Sequence, residues 1–263
     1  GGEEEQLGFE LVVGADGVHS TLREAGRFGA RVRRTGTWYV RGLTPEAGAA
    51  REEEAWTAAG LFGSFPVRDG AYFYCSAAHP ALRAALERRD LEAFRAAWAR
   101  AYPPSAALLR ALPSFDALLL NEVIRVDCRR FADGRRVLVG DAAHAMAPNL
   151  GQGANSALVD AAVLLDELQQ APDLDEALRR YDARRRPAVR WVQDAAEQGA
   201  RLAEATGPLL RWGRDRLLMP LAALGAQGRM ARVLQEPPAR LLAIAQGHER
   251  TGSRARSLES SAP

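Results

Sequence analysis

Asp141 is the residue whose type and setting most clearly invite chemistry. It lies within the run Arg136-Val137-Leu138-Val139-Gly140-Asp141-Ala142-Ala143-His144, and Pro148-Asn149-Leu150-Gly151-Gln152-Gly153-Ala154-Asn155 follows shortly after. An ionised carboxylate only accepts hydrogen bonds and can take two at once. The apolar run Val137-Leu138-Val139 reads as a short strand covered on both faces. Asp141 then falls at a strand's carboxyl end, where open α/β sheets bind their ligands. Further on, Ala154, Leu158, Ala161, Leu165 and Leu168 repeat every three to four residues, which predicts a helix over 152–168 with that face buried. Two glycines at its start leave backbone donors bare, with the positive end of the helix dipole behind them. Such a terminus suits an electron-rich group. Each feature also has a plain structural alternative: Asp141 as a turn or helix cap, the glycines as turn residues, Pro148 as the end of a strand.

In this combination the residues resemble a known family. Gly140-Asp141-Ala142-Ala143-His144, with Pro148 and Gly151-Gln152-Gly153, is similar to the second flavin motif of the FAD-dependent aromatic hydroxylases, the single-component flavoprotein monooxygenases. Asn155-Ser156-Ala157-Leu158-Val159-Asp160-Ala161 continues the resemblance into the helix. A second run, Leu11-Val12-Val13-Gly14-Ala15-Asp16-Gly17-Val18-His19-Ser20-Thr21-Leu22-Arg23, resembles the family's Asp-Gly motif, and the two lie in the family's order. The resemblance implies that Asp141, after Gly140, accepts hydrogen bonds from the ribityl hydroxyls of FAD. It implies that Gly151, Gln152, Gly153, Ala154 and Asn155 bring backbone donors to the pyrimidine edge of the flavin, and that Pro148 lies beside the ring. Asp16 and Gly17 are implied near the pyrophosphate and the nicotinamide route, with Arg23 in support. The implied reaction is a hydroxylation using NAD(P)H and O2 on an aromatic or polyketide-like small molecule.

One piece of that pattern is missing. The Gly-x-Gly-x-x-Gly turn of a ~30-residue βαβ unit, which would cradle the pyrophosphate, occurs nowhere in the 263 residues. The chain is therefore read as the carboxyl-terminal part of a longer flavoenzyme, inactive by itself. Two alternatives stay open: a related flavoprotein epoxidase or reductase, and a non-catalytic remnant that does not retain FAD. No Ser/His/Asp or Cys/His arrangement stands out, so no catalytic acid, base or nucleophile is assigned, and His19 and His144 are given no catalytic role.

The elements that must position these residues follow from pattern and punctuation. The expected fold class is α/β, an incomplete FAD-binding Rossmann-like domain (1–29 and 122–172) interrupted by a β-sheet substrate-binding insert (30–121). C-terminal helices (173–248) and a disordered tail (249–263) complete it. Residues 9–13 predict a strand. Thr21-x-x-Glu24 gives the next helix a capping box, with Ser20 as a rival cap. Residues 31–78 are β-rich, Arg68-Asp69-Gly70 marks a hairpin turn, and 46–54 reads as a loop. Residues 79–112 read as helical, broken at Pro103-Pro104, and 118–126 as a strand. Helix returns over 173–195 with an interruption at Pro187, and continues with breaks at Pro208, Pro220 and Pro237-Pro238. The aromatics Trp38, Trp56, Phe62, Phe65, Tyr72 and Phe73 either line a pocket for a planar substrate or pack the core.

Composition narrows the classes. An apolar fraction of 47% and a charged fraction of 26% are globular values. Arginine supplies all of the Lys+Arg count of 35, and the net charge is only +2. The Arg179-to-Arg190 cluster is interleaved with acidic residues, which favours a salt-bridged helix face over nucleic acid. Cys75 and Cys128 have no metal spacing; a bridge between them is one reading, buried thiols in a reducing compartment the favoured one. No apolar run reaches the ~18 residues a membrane helix needs, and no signal peptide is visible. The expectation is a soluble, cytoplasmic protein binding no metal, nucleic acid or membrane, of unassigned oligomeric state.

Overall fold

The computed structural model describes residues 7–205, 207–218, 232–233, 235–237, 239–244 and 246. In chain order the elements are β1 (Val12–Gly14), α1 (Thr21–Ala25), β2 (Arg31–Thr44), β3 (Glu53–Trp56), β4 (Leu61–Val67), β5 (Gly70–Ser76) and α2 (Pro80–Glu87). There follow α3 (Leu91–Ala101), α4 (Ser105–Arg110), β6 (Leu119–Asp127), β7 (Ala132–Asp133) and β8 (Arg136–Leu138). The last are α5 (Asp141–His144), α6 (Gly153–Gln170), α7 (Leu174–Ala203) and α8 (Pro208–Gly213). The fold is mixed α/β with two sheets, ordered β1-β8-β7 and β3-β4-β5-β2-β6. The chain forms two compact units, one of Gly1–Arg33, Arg125–Ala196 and Ala226–Pro263, the other of Arg34–Ile124 and Glu197–Gly225.

In the first unit β1 lies parallel to β8, pairing Val13 with Val137 and Gly14 with Leu138. β7 and β8 form a tight antiparallel hairpin through Gly134. Val137 and Leu138 are fully buried, as a strand covered on both faces requires. α1 is capped by Ser20, whose hydroxyl accepts from the Arg23 N–H. The rival cap therefore wins over Thr21, which is already inside the helix.

Two helix expectations need correction. α6 occupies almost the predicted span, yet its buried face is Ser156, Val159, Asp160, Val163, Leu164, Asp166 and Glu167. Leu158 is 70% exposed and Leu165 40% exposed, so the stripe expected inside faces outward. The helix has apolar residues on two faces, and the inner one also carries carboxylates that α7 neutralises: Arg185 meets Asp160 at 2.7 Å, and Arg184 meets Asp166 and Glu167 at 2.8 Å each. α7 itself runs unbroken through Pro187. Ala177, Leu178, Tyr181, Arg185, Val189, Val192 and Ala196 form one buried stripe across that position. Burial of these side chains at roughly 1.5–3 kcal/mol each for the larger apolar ones outweighs the ~3 kcal/mol cost of an interior proline.

In the second unit α2, α3 and α4 cover one face of the five-stranded sheet. Val40, Phe62, Phe73, Cys75, Leu82, Phe94, Trp98, Leu108 and Leu109 make the core between them. The hairpin expected at Arg68-Asp69-Gly70 joins β4 to β5, with Val67 opposite Gly70. Two details differ. Glu53 and Glu54 belong to edge strand β3 instead of the loop, because β4 pairs with them. The helical stretch has an extra break between α2 and α3, where Arg89 takes φ 53° and Asp90 then caps α3 through the Ala93 N–H. Cys75 and Cys128 are both buried free thiols, and burial pushes each above its ordinary pKa. Among the described residues no helix is long and apolar enough to cross a membrane. Pro220, Pro238 and the tail 249–263 lie outside the described residues.

Candidate cofactor site

Asp141 opens the short helix α5 directly after β8, and its side chain is exposed with no partner among the described residues. What precedes it is rigid. Gly140 sits at φ 59°, ψ −143°, a conformation closed to L side chains, and a Cβ there would lie 3.0 Å from the Ala157 Cβ of α6. The backbone around Asp141 is gripped from four directions. Tyr181 donates to the Leu138 carbonyl at 3.0 Å, Arg23 to the Ala142 carbonyl at 2.8 Å, and Gln193 to the Ala145 carbonyl at 3.1 Å. From α6, the Asp160 carboxylate accepts the Gly140 N–H at 2.8 Å and contacts His144 Nε2 at 2.5 Å. Asp160 and His144 are both buried.

A 3-10 turn at Pro148–Leu150 leads into Gly151, which ends it at φ 62°. α6 begins at Gly153 after Gln152, whose side chain donates to the Leu150 carbonyl and makes no cap. Ser156 is the first residue whose N–H finds an acceptor, the Gln152 carbonyl at 2.8 Å. The N–H groups of Gly153, Ala154 and Asn155 have none among the described residues, and a Cβ on Gly153 would meet open space. The Asn155 amide reaches the Gln152 side chain at 3.5 Å.

The Asp16 turn is built differently. Asp16 is exposed, but one of its oxygens accepts the Leu22 N–H at 3.1 Å. Burial alone would raise its pKa; hydrogen bonds from the Ser20 side chain and the Leu22 backbone outweigh that and hold it below 3.8. Gly17 follows at φ 76° with nothing near its absent Cβ. Arg23 is only 5% exposed, and its guanidinium is taken up by the carbonyls of Ala142 (2.8 Å) and Val18 (2.7 Å). It joins the two turns through backbone.

The structure thus gathers Gly140, Asp141, Pro148, Gly151, Gln152, Gly153, Ala154 and Asn155 on one strand–turn–helix passage. It places Asp16 and Gly17 in the turn after the neighbouring parallel strand β1, whose Gly14 carbonyl accepts the Val139 N–H at 3.0 Å. Sequence reading missed Asp160 and Arg185. The available signal was a set of carboxylates on α6 opposite consecutive arginines on α7, in a region otherwise rich in alanine and leucine. A carboxylate without a partner among the described residues and, on the same strand–turn–helix passage, a run of backbone donors without acceptors there fit the hydroxyl chain and carbonyl edge of FAD, and nothing in the donor set conflicts with that group.

The comparisons agree. The family described as an FAD binding domain matches residues 1–196. The chain belongs to the family of FAD-dependent aromatic hydroxylases. It is 30% identical over 240 residues to the aurachin C monooxygenase/isomerase of Stigmatella aurantiaca, covering 87% of this chain and 61% of that protein. It is 37% identical over 237 residues to a 3-amino-4-hydroxybenzoate 2-monooxygenase of Streptomyces platensis, covering 84% and 57%. Among solved structures, Klebsiella pneumoniae HpxO complexed with FAD and uric acid superposes with a TM-score of 0.70 at 27% identity, over 86% of this chain and 60% of that one. The hydroxylase-family chain therefore spans about three fifths of the length of these relatives.

The second unit offers a different surface. On the sheet face away from the helices, Phe65 stacks on Tyr74 with centroids 5.9 Å apart, and Tyr72 lies 6.1 Å from Tyr74. Phe65 is exposed and both tyrosines half-buried. Phe62 and Phe73, by contrast, stack inside the core at 5.8 Å. Of the aromatics flagged in the sequence, some pack and some remain open.

Proposed function

We propose that the whole protein is an NAD(P)H-dependent, FAD-containing monooxygenase that hydroxylates an aromatic or polyketide-like small molecule. The observation that carries this reading is the exposed Asp141 carboxylate just past the end of β8, without a partner among the described residues, on a turn that abuts α6, whose first-turn N–H groups likewise have no acceptor among those residues. FAD, when bound, would supply the redox chemistry that couples oxidation of NAD(P)H to insertion of one oxygen atom of O2 into the substrate, the other leaving as water. The chain's own part is to hold and orient. Asp141 accepts ribityl hydroxyls; the Gly153, Ala154 and Asn155 N–H groups and the α6 dipole favour negative charge on the pyrimidine edge; Pro148 and Gly151 fix the loop beside it. Asp16 and Gly17 line the pyrophosphate side. Residues 30–121 act as the substrate insert, with the open Phe65/Tyr72/Tyr74 face as its platform for a planar molecule.

Replacing Asp141 with Ala and titrating FAD by quenching of its fluorescence tests the assignment. The loss of two charge-assisted hydrogen bonds, at about 1.5–3 kcal/mol per bond, predicts affinity lower by a factor of about a hundred or more. Unchanged affinity overturns it. A related reading is favoured by the missing Gly-x-Gly-x-x-Gly turn: the 263 residues alone hold FAD weakly. Stoichiometric yellow colour in the purified chain would contradict that.

A further inference from the structure

We propose that Asp160 is the positioning residue of this site, a single buried carboxylate that locks the Asp141 turn to the helix whose first turn supplies the backbone donors. The proposal rests on the reading of that turn as the flavin site. Asp160 stands two helical turns into α6 and is fully buried. One of its oxygens takes the Gly140 N–H at 2.8 Å and the His144 ring at 2.5 Å, so both ends of the turn around Asp141 are pinned to α6. Its other oxygen takes Arg185 Nε at 2.7 Å, and Arg185 is itself fully buried on α7.

A buried carboxylate is costly unless paired, and an apolar residue of similar size would serve packing alone at least as well. Its geometry shows a different use. Gly140 occupies a backbone conformation open only to glycine, and the Asp160 carboxylate takes its N–H there, fixing which of glycine's many conformations the turn adopts. Arg185 is held in turn by the Ser156 carbonyl (3.4 Å) and by Gln235 (2.7 Å), whose amide also binds the Ser156 hydroxyl at 2.7 Å. Its Nη1 and His144 Nδ1 find no partner among the described residues. Buried donors and acceptors are left unsatisfied here, which a purely stabilising network would avoid. Asp141, with no partner of its own among the described residues, depends on this neighbour for its direction.

The test compares Asp160→Asn with Val163→Ala, a fully buried change on the same helix, in the whole protein of which these residues are part. Amide hydrogen exchange followed by NMR should accelerate in Asp160→Asn by about tenfold or more at Gly140, Ala143 and His144 beyond the rest of the unit. Val163→Ala should raise exchange evenly. Equal acceleration across the unit in Asp160→Asn overturns the proposal. FAD titration of Asp141→Asn, Asp160→Asn and the double variant adds a second arm. Because Asp160 acts through Asp141, the double variant should lose little more affinity than Asp141→Asn, and simple additivity overturns the proposal. Should Asp141→Asn bind FAD unchanged while the local exchange pattern holds, the flavin reading falls and the locking of the turn stands. If Asp160→Asn does not fold, the unmodified chain still decides: His144 must carry a slowly exchanging proton on Nε2, and a ring protonated on Nδ1 alone overturns the lock.

Discussion

Two acidic turns stand at the carboxyl ends of two paired parallel strands, and they use their carboxylates in opposite ways. Asp16, after β1, turns its side chain back on its own loop and holds the Leu22 N–H. Asp141, after β8, has no side-chain partner among the described residues, and its turn is steadied from outside by Tyr181, Arg23, Gln193 and Asp160. The same residue type at equivalent places therefore acts as scaffold in one turn and as an open acceptor in the other. Availability decides between them, and availability depends on what distant elements do for the backbone.

The largest break in this contrast should come from the two turn glycines. Gly140→Ala would force an L residue into φ 59°, ψ −143° and press a Cβ to 3.0 Å from Ala157. Strain and overpacking together predict a loss of about 3 kcal/mol by urea unfolding. Gly17→Ala carries only the positive-φ cost, because its Cβ would meet open space, and should lose about 1 kcal/mol. Similar losses at both positions would mean that the Asp141 turn is no more tightly constrained than the Asp16 turn.

Next in size is Arg23→Met. It keeps the apolar stem and removes the donors to the Ala142 and Val18 carbonyls, which predicts a loss of about 2 kcal/mol in stability. The same variant decides what Arg23 is for. If its charge met the pyrophosphate directly, FAD affinity would fall with little change in the urea midpoint; the buried geometry predicts the reverse weighting.

Much of this was legible in the chain because it depends on local chemistry. Glycines flanking an acidic residue after a β-branched run gave the strand, the turn and the start of α6; Arg68-Asp69-Gly70 gave the hairpin. The misreadings arose where a second element decides. Leu158 and Val159 satisfy helical periodicity equally well, and only α7, with Arg185 opposite Asp160, determines which face turns inward. Pro187 carries a real local penalty that the buried stripe of α7 overrides. Arg23 reads only as a support of the Asp16 turn, and its carbonyl partners, one of them over a hundred residues away, are not visible in the chain. Asp160 was quoted as part of a motif and given no role, since nothing near it in sequence reveals Gly140, His144 and Arg185 as its company.

The smallest predicted effect sharpens the contrast by pH. Asp16 has its carboxyl held below 3.8 in the folded chain, so it binds its proton less readily folded than unfolded. Its contribution to stability is complete well above the ordinary carboxyl pKa and disappears as pH falls through the lower folded value. Asp16→Asn should therefore cost at most about 1 kcal/mol at neutral pH, the size of a lost cap on an exposed turn. That gap should narrow to nothing as the solution is acidified past the folded pKa, since both proteins then carry an uncharged side chain. Urea midpoints at neutral pH and in acid check it. A gap that persists in acid would assign Asp16 a role other than its charge, and one absent at neutral pH would leave its carboxylate as free as that of Asp141, erasing the difference between the two turns.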